Sequence, residues 1–128
     1  MGGSYIPEAI MQGHRDLLVW QKSMQFVTEL YDVTKKYPNE EKFGLAIQTR
    51  RAGVSIPSNL AEGHGRESKK EFHQFVNIAR GSLLEVETQL EIAFNLKYID
   101  AQSFKHLINQ SAEIGRMLTG LRSWAANS

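Results

Sequence analysis

Ser55-Ile56-Pro57-Ser58-Asn59-Leu60-Ala61-Glu62-Gly63-His64-Gly65-Arg66, close to the midpoint of the 128-residue chain, decides how the rest is arranged. On both sides of it apolar residues recur at three- and four-residue steps, the mark of amphipathic helix. Inside it a proline interrupts that pattern and two glycines then end it. A mid-helix proline loses one backbone hydrogen bond and clashes with the carbonyl four residues earlier. That residue is Gly53, where the missing side chain lets the backbone relax, and Ser55 and Ser58 can bond the freed groups locally. The pattern predicts a kinked but continuous helix around Gly53, Ser55, Pro57 and Ser58, ending near Glu62, with Gly63 as its C-terminal stop.

Upstream, this helix is expected to begin at Asn39 as N-cap, with Glu40 and Glu41 in its first turn, where carboxylates favour the helix dipole. Phe43, Ile47 and Val54 share one face, continued past the proline by Ala61. Arg50 falls on that face and Arg51 lies beside it. The plainer reading is that both snorkel at the margin. The sharper one is that one of them pairs with a carboxylate, inside the bundle or across a subunit contact. Pro38 separates this helix from an earlier one, expected over roughly 17–37 with Asp16 as N-cap. Leu17, Trp20, Met24, Val27, Tyr31 and Thr34 form one stripe of the first helix, and Val19, Phe26, Leu30, Val33 and Tyr37 an adjacent one.

Downstream, Ser68-Lys69-Lys70-Glu71 is a capping box that opens a third helix, roughly 69–96. Phe72, Val76, Ala79, Leu83, Val86, Leu90 and Ala93 keep a seven-residue repeat, as in left-handed bundle packing. A neighbouring stripe, Phe75, Ile78, Ser82, Glu85, Gln89, Ile92 and Leu96, is apolar at its ends and polar in its middle. After a turn at Tyr98-Ile99, Asp100 caps a fourth helix, roughly 101–125, whose Phe104, Leu107, Ile108, Ile114, Leu118 and Leu121 face the core. Short connections force antiparallel neighbours. The expected fold is all-α, an up-down-up-down four-helix bundle over residues 15–125 with a proline-kinked second helix, a loose arm over 1–14 and a frayed tail over 126–128.

Composition narrows the function classes. Without cysteine there are no disulfides and no thiolate metal sites. No basic region leads into an apolar run at the start, and no apolar run is long enough to span a bilayer, so the cytosol is the expected compartment. Helix bundles often hold di-iron sites built from Glu-x-x-His pairs, but no glutamate here has a histidine three residues on. Glu62/His64 and Glu71/His73 are two apart and diverge on a helix. Ser55 or Ser58 with Glu62 and His64 lacks a nucleophile elbow or oxyanion loop, and Gly63-His64-Gly65 lacks the spacing and preceding strand of a phosphate loop. The expectation is no enzyme, no cofactor, no metal and no small-molecule substrate.

Fifteen Lys and Arg against fourteen Asp and Glu give a net charge of +1, so any basic footprint must come from local clustering. Arg66, Lys69, Lys70 and Arg80 outnumber Glu67 and Glu71 between residues 63 and 80. In an up-down bundle the 63–70 turn lies at the same end as Arg15 and Arg122, which makes Arg15, Arg66, Lys69, Lys70 and Arg122 a candidate polyanion face. The plainer reading is an ordinary solvated loop. Helices one and three each carry more apolar surface than one bundle core absorbs, so the chain is not expected to be a monomer. Arg50, Arg51, Ser82, Glu85 and Gln89 are the candidates for an oligomer interface or a buried ion pair.

Several separated motifs also carry a resemblance. Asp16-Leu17-Leu18-Val19-Trp20-Gln21-Lys22, Glu41-Lys42-Phe43-Gly44-Leu45, Arg50 through Asn59, Ala61-Glu62-Gly63, Gly65-Arg66, Ser68 through Phe72 and Gly81-Ser82-Leu83 through Leu90-Glu91 look like one group. It is the bacterial four-helix-bundle proteins encoded in intervening sequences of large-subunit (23S) ribosomal RNA genes, to which the accessory variability protein of diversity-generating retroelements is related. The resemblance covers roughly residues 15–122. It implies a bundle that assembles into a homopentameric ring, no established catalysis, and association with RNA or DNA suspected from genomic context. The chain departs from the pattern in its nearly balanced charge and in His64, where a tyrosine is usual. Two functions follow: an oligomeric module touching nucleic acid through its basic end, or a protein-binding assembly scaffold without nucleic-acid contact.

Overall fold

The computed structural model describes residues 13–127, so what the sequence suggests for residues 1–12 and for Ser128 lies outside the described residues. Four α-helices follow one another, α1 (Leu18–Thr34), α2 (Leu45–His64), α3 (Lys69–Asn95) and α4 (Ala101–Ala126), with short 3-10 turns at His14–Asp16 and Asn39–Glu41. There is no strand among the described residues. α2 packs along both α1 and α3, α3 along α4, and α1 closes against α4. With connections this short each helix reverses the one before it, which is the all-α antiparallel four-helix bundle the periodicity predicts.

In α1 the core stripe is Val19, Phe26 and Leu30, with Ser23 and Thr34 buried beside them. Ser23 and Thr34 are accommodated because their hydroxyls donate to the carbonyls four residues back, Val19 O at 2.7 Å and Leu30 O at 2.7 Å. The other stripe is a flank, with Trp20 and Val27 half-buried and Met24 and Tyr31 exposed. Asp16 is not the N-cap expected of it. It lies in the 3-10 turn, whose hydrogen bonds run from Asp16 N to Gly13 O and from Leu17 N to His14 O, and Leu17 takes the cap position. The helix ends at Thr34, three residues before Tyr37. Tyr37 still reaches the core, its ring centroid 5.5 Å from that of Tyr98.

α2 begins later than expected. Asn39–Glu41 forms a separate 3-10 turn, and the Glu41 carboxylate turns back to accept from Leu45 N at 3.1 Å and from the Tyr98 hydroxyl at 2.9 Å. One side chain thereby caps α2 and ties it to the α3–α4 turn. A Cβ on Gly44 would sit 2.8 Å from that carboxylate.

The face of α2 is also corrected. Its buried residues are Ala46, Thr49, Ala52, Gly53, Ile56, Pro57, Leu60 and Gly63. Of the expected stripe, Ile47 and Ala61 are only half-buried, Val54 is exposed and Phe43 is 86% exposed. Phe43 precedes the helix and so does not share its register, and small residues at 46, 49, 52 and 53 let α2 approach its neighbours more closely than large apolar ones could. A Cβ on Gly53 would meet Leu30 Cδ1 at 2.6 Å, so this glycine answers a helix contact as well as the proline four residues on. The helix runs unbroken through Pro57. Gly63 is not the stop. It is a buried helical residue whose added Cβ would lie 2.5 Å from Phe75 Cβ, and the helix ends one residue later, with Gly65 as C-cap.

α3 and α4 follow the sequence closely. Ser68 Oγ accepts from Glu71 N at 3.1 Å and its hydroxyl lies 3.2 Å from the Glu71 carboxylate, while Asp100 accepts from Ser103 N at 2.7 Å. Phe72, Val76, Leu83, Val86 and Leu90 are all buried, as their heptad spacing requires. They pack with Leu107, Ile114 and Leu118 of α4 in one continuous core.

Candidate nucleic-acid interface

The antiparallel arrangement brings the start of α1, the end of α2, the start of α3 and the end of α4 to one end of the bundle. A pocket of about 520 Å³ opens there, lined by residues from all four segments, among them Leu17, His64, Lys69, Phe72, Leu121 and Trp124. Phe72 forms its floor, edge-on to His64 and to Trp124 with both centroid separations 6.2 Å. Trp124 is 53% exposed. Lys69 sits with Nζ 4.0 Å from the indole centroid, and Nζ donates to the Asn127 carbonyl at 3.4 Å.

The five cations singled out from the sequence therefore share this end but differ in engagement. Arg66 pairs with Glu62 at 3.2 Å and stacks 5.1 Å from the Phe75 centroid. Lys69 is held by Trp124. Arg15 and Lys70 are exposed and Arg122 half-buried, and none of the three has an ion-pair partner among the described residues. Asp16, Glu62, Glu67 and Glu71 stand at the same end, so five cations face four carboxylates. His14 packs edge-on against Trp20 at 4.9 Å; its own burial first, then Arg15 and His64, hold its pKa below the ordinary histidine value. Trp124, inside the expected fourth helix but outside its core-facing stripe, is a residue of this pocket that periodicity missed. Its signal was an aromatic three residues beyond Leu121, at the helix end nearest the basic turn.

The second candidate group lies on α2 and α3 and is not brought together at one place. Ser82 donates to Ser55 Oγ at 2.8 Å, and Asn59 Nδ2 donates to both the carbonyl and the hydroxyl of Ser55, each at 2.8 Å. Ser58 is exposed. Gln89 is buried and donates to the exposed Glu85 at 3.1 Å, while its own Oε1 has no partner. Arg50 does not reach Glu85 within the chain. It donates from Nε to Thr34 Oγ1 at 2.8 Å, donates to Tyr31 O at 3.4 Å, and lies over the Tyr31 ring, so it binds the C-terminal end of α1. Arg51 is exposed. Met24 and Tyr31 on α1, Val54 on α2, Ile78 and Ile92 on α3, and Leu96 just past the end of α3 are exposed.

Among the described residues no three His, Asp or Glu side chains converge as a metal site requires. No helix among them is long and apolar enough to cross a membrane.

The comparisons agree with this architecture. A solved structure similar to the chain is a protein of unknown function from the S23 ribosomal protein family of Bacteroides thetaiotaomicron. It is 30% identical, covers 83% of this chain and 96% of its own, and superposes with a TM-score of 0.77. No curated protein matches the chain. The family model for the 23S rRNA-intervening sequence protein matches residues 15–120, from the first turn to near the end of α4, and the chain belongs to that family.

Proposed function

We propose that the chain is a non-enzymatic, cytoplasmic, oligomeric four-helix-bundle module that contacts RNA or DNA through its basic bundle end. The observation that supports this is the meeting of Arg15, Arg66, Lys69, Lys70 and Arg122 at one end of the bundle. A single copy carries little excess charge there, because carboxylates stand among the cations. Repetition of the end around an assembly multiplies the charge and favours a polyanion. Assembly is supported by the apolar residues left exposed on α1, α2 and α3, with Arg51 exposed and available to a neighbouring copy. The number five comes from the family resemblance. The near balance of charge supports a second reading, a protein-binding scaffold that makes no nucleic-acid contact.

Retention on nucleic acid across a salt series separates the two. The first reading expects retention at low salt that weakens as salt rises. Reversing Lys69 and Lys70 to glutamate should then reduce the salt slope by about 1 for each phosphate no longer neutralised. No retention of the unaltered chain at low salt leaves the scaffold. Sedimentation at micromolar protein tests assembly: a mass near the 14.5 kDa of one chain overturns the oligomer, and a dimer or tetramer removes the ring of five alone.

A further inference from the structure

We infer that the pocket at the basic end is a base-binding site, which takes an unstacked base of single-stranded nucleic acid between Trp124 and His64 over Phe72, with the adjoining phosphate at Lys69. This rests on the nucleic-acid reading and narrows it from a polyanion to a single strand.

The pocket holds two chemistries side by side. Its volume of about 520 Å³ lies within the range of small-ligand sites, roughly 300–1,000 Å³. Three aromatic rings line it, and the exposed indole, whose ring lies under the Lys69 ammonium, offers any base a stacking face once that ammonium moves to the phosphate. The Lys69 ammonium lies beside that indole, Arg66 also lines the pocket, and Arg15, Lys70 and Arg122 stand at the same bundle end. A duplex cannot use such a pocket, because its bases are stacked on one another. A single strand can, with one base in the pocket and its backbone along the cations. Glu67 on the rim disfavours a ligand that is all charge, whereas a base brings a neutral ring and one phosphate.

The test uses the full chain and labelled strands of uridine RNA and thymidine DNA, the matching duplexes, and an abasic strand of equal length, read by fluorescence anisotropy at low salt. The expected order is single strand tighter than duplex, and based strand tighter than abasic. Trp124→Ala weakens single-strand binding by roughly 5- to 150-fold, the effect of losing one stacked base, with the salt slope unchanged. Trp124→Phe restores most of it. Lys69→Glu lowers both affinity and slope. Equal binding of based and abasic strands overturns the pocket while the polyanion reading survives, and this comparison needs no variant. Equal binding of single strand and duplex with Trp124→Ala unaffected has the same meaning. Failure of the unaltered chain to bind any strand removes the nucleic-acid reading together with the pocket.

Discussion

Gly63→Ala tests a close approach of α2 to α3. In an exposed helix interior, alanine in place of glycine stabilises by roughly 0.5–1 kcal/mol, because glycine has more backbone freedom to lose. At position 63 that gain is opposed. The new methyl would lie 2.5 Å from Phe75 Cβ and 3.1 Å from Phe72 Cδ1. Phe75 Cβ is bonded to the α3 backbone and cannot rotate away, so α2 and α3 must separate there. Forcing an extra methyl into a packed interface costs about 1–3 kcal/mol. The net expectation is destabilisation of about 0.5–2 kcal/mol, with sign opposite to that of the same change at open sites. Gly81 and Gly120 are the controls, since a Cβ at either meets nothing within 4 Å. Urea unfolding followed by helical circular dichroism, at one fixed protein concentration so that any association is held constant, reads all three. Gly81→Ala and Gly120→Ala should raise the midpoint and Gly63→Ala should lower it. A Gly63→Ala midpoint raised as much as that of the controls would refute so close an approach of α2 to α3.

Leu83→Ala should cost roughly 2–5 kcal/mol and the adjacent Leu84→Ala much less, since Leu83 is buried and Leu84 is exposed; equal losses in the same unfolding assay would contradict the α3 register. Burial without a hydrogen-bond partner pushes the Tyr37 hydroxyl up to about 12. Its raised pKa favours the neutral form in the folded chain, so that stability is fully present below the unfolded value near 10 and is lost as pH rises from about 10 to 12. A pH series of melting temperatures should show that loss, and Tyr37→Phe should flatten it. Pro57 is expected to bend α2 by more than about 20°, a bend that a crystal structure of Pro57→Ala should show straightened. Ser68→Ala, which removes the cap of α3, should cost about 1 kcal/mol.

Sequence alone determined the four helices and their antiparallel order. It also determined the core residues of α3, because its heptad holds from Phe72 to Ala93 and local caps stand at Ser68 and Asp100. Caps and periodicity are local physics, legible without knowing what lies opposite. The face of α2 was decided by tertiary structure: periodicity weighs large apolar residues, whereas much of the buried side of α2 is Ala, Thr, Gly and Pro fitted against larger side chains of α1 and α3. Gly63 illustrates the same limit, reading as a helix stop in sequence and acting as the place where two backbones come close. The cations of the bundle end could be placed from topology. Their pairing could not, since Arg66 with Glu62, Lys69 with Trp124, and Arg50 with the end of α1 each depend on which side chain the packing brings within reach.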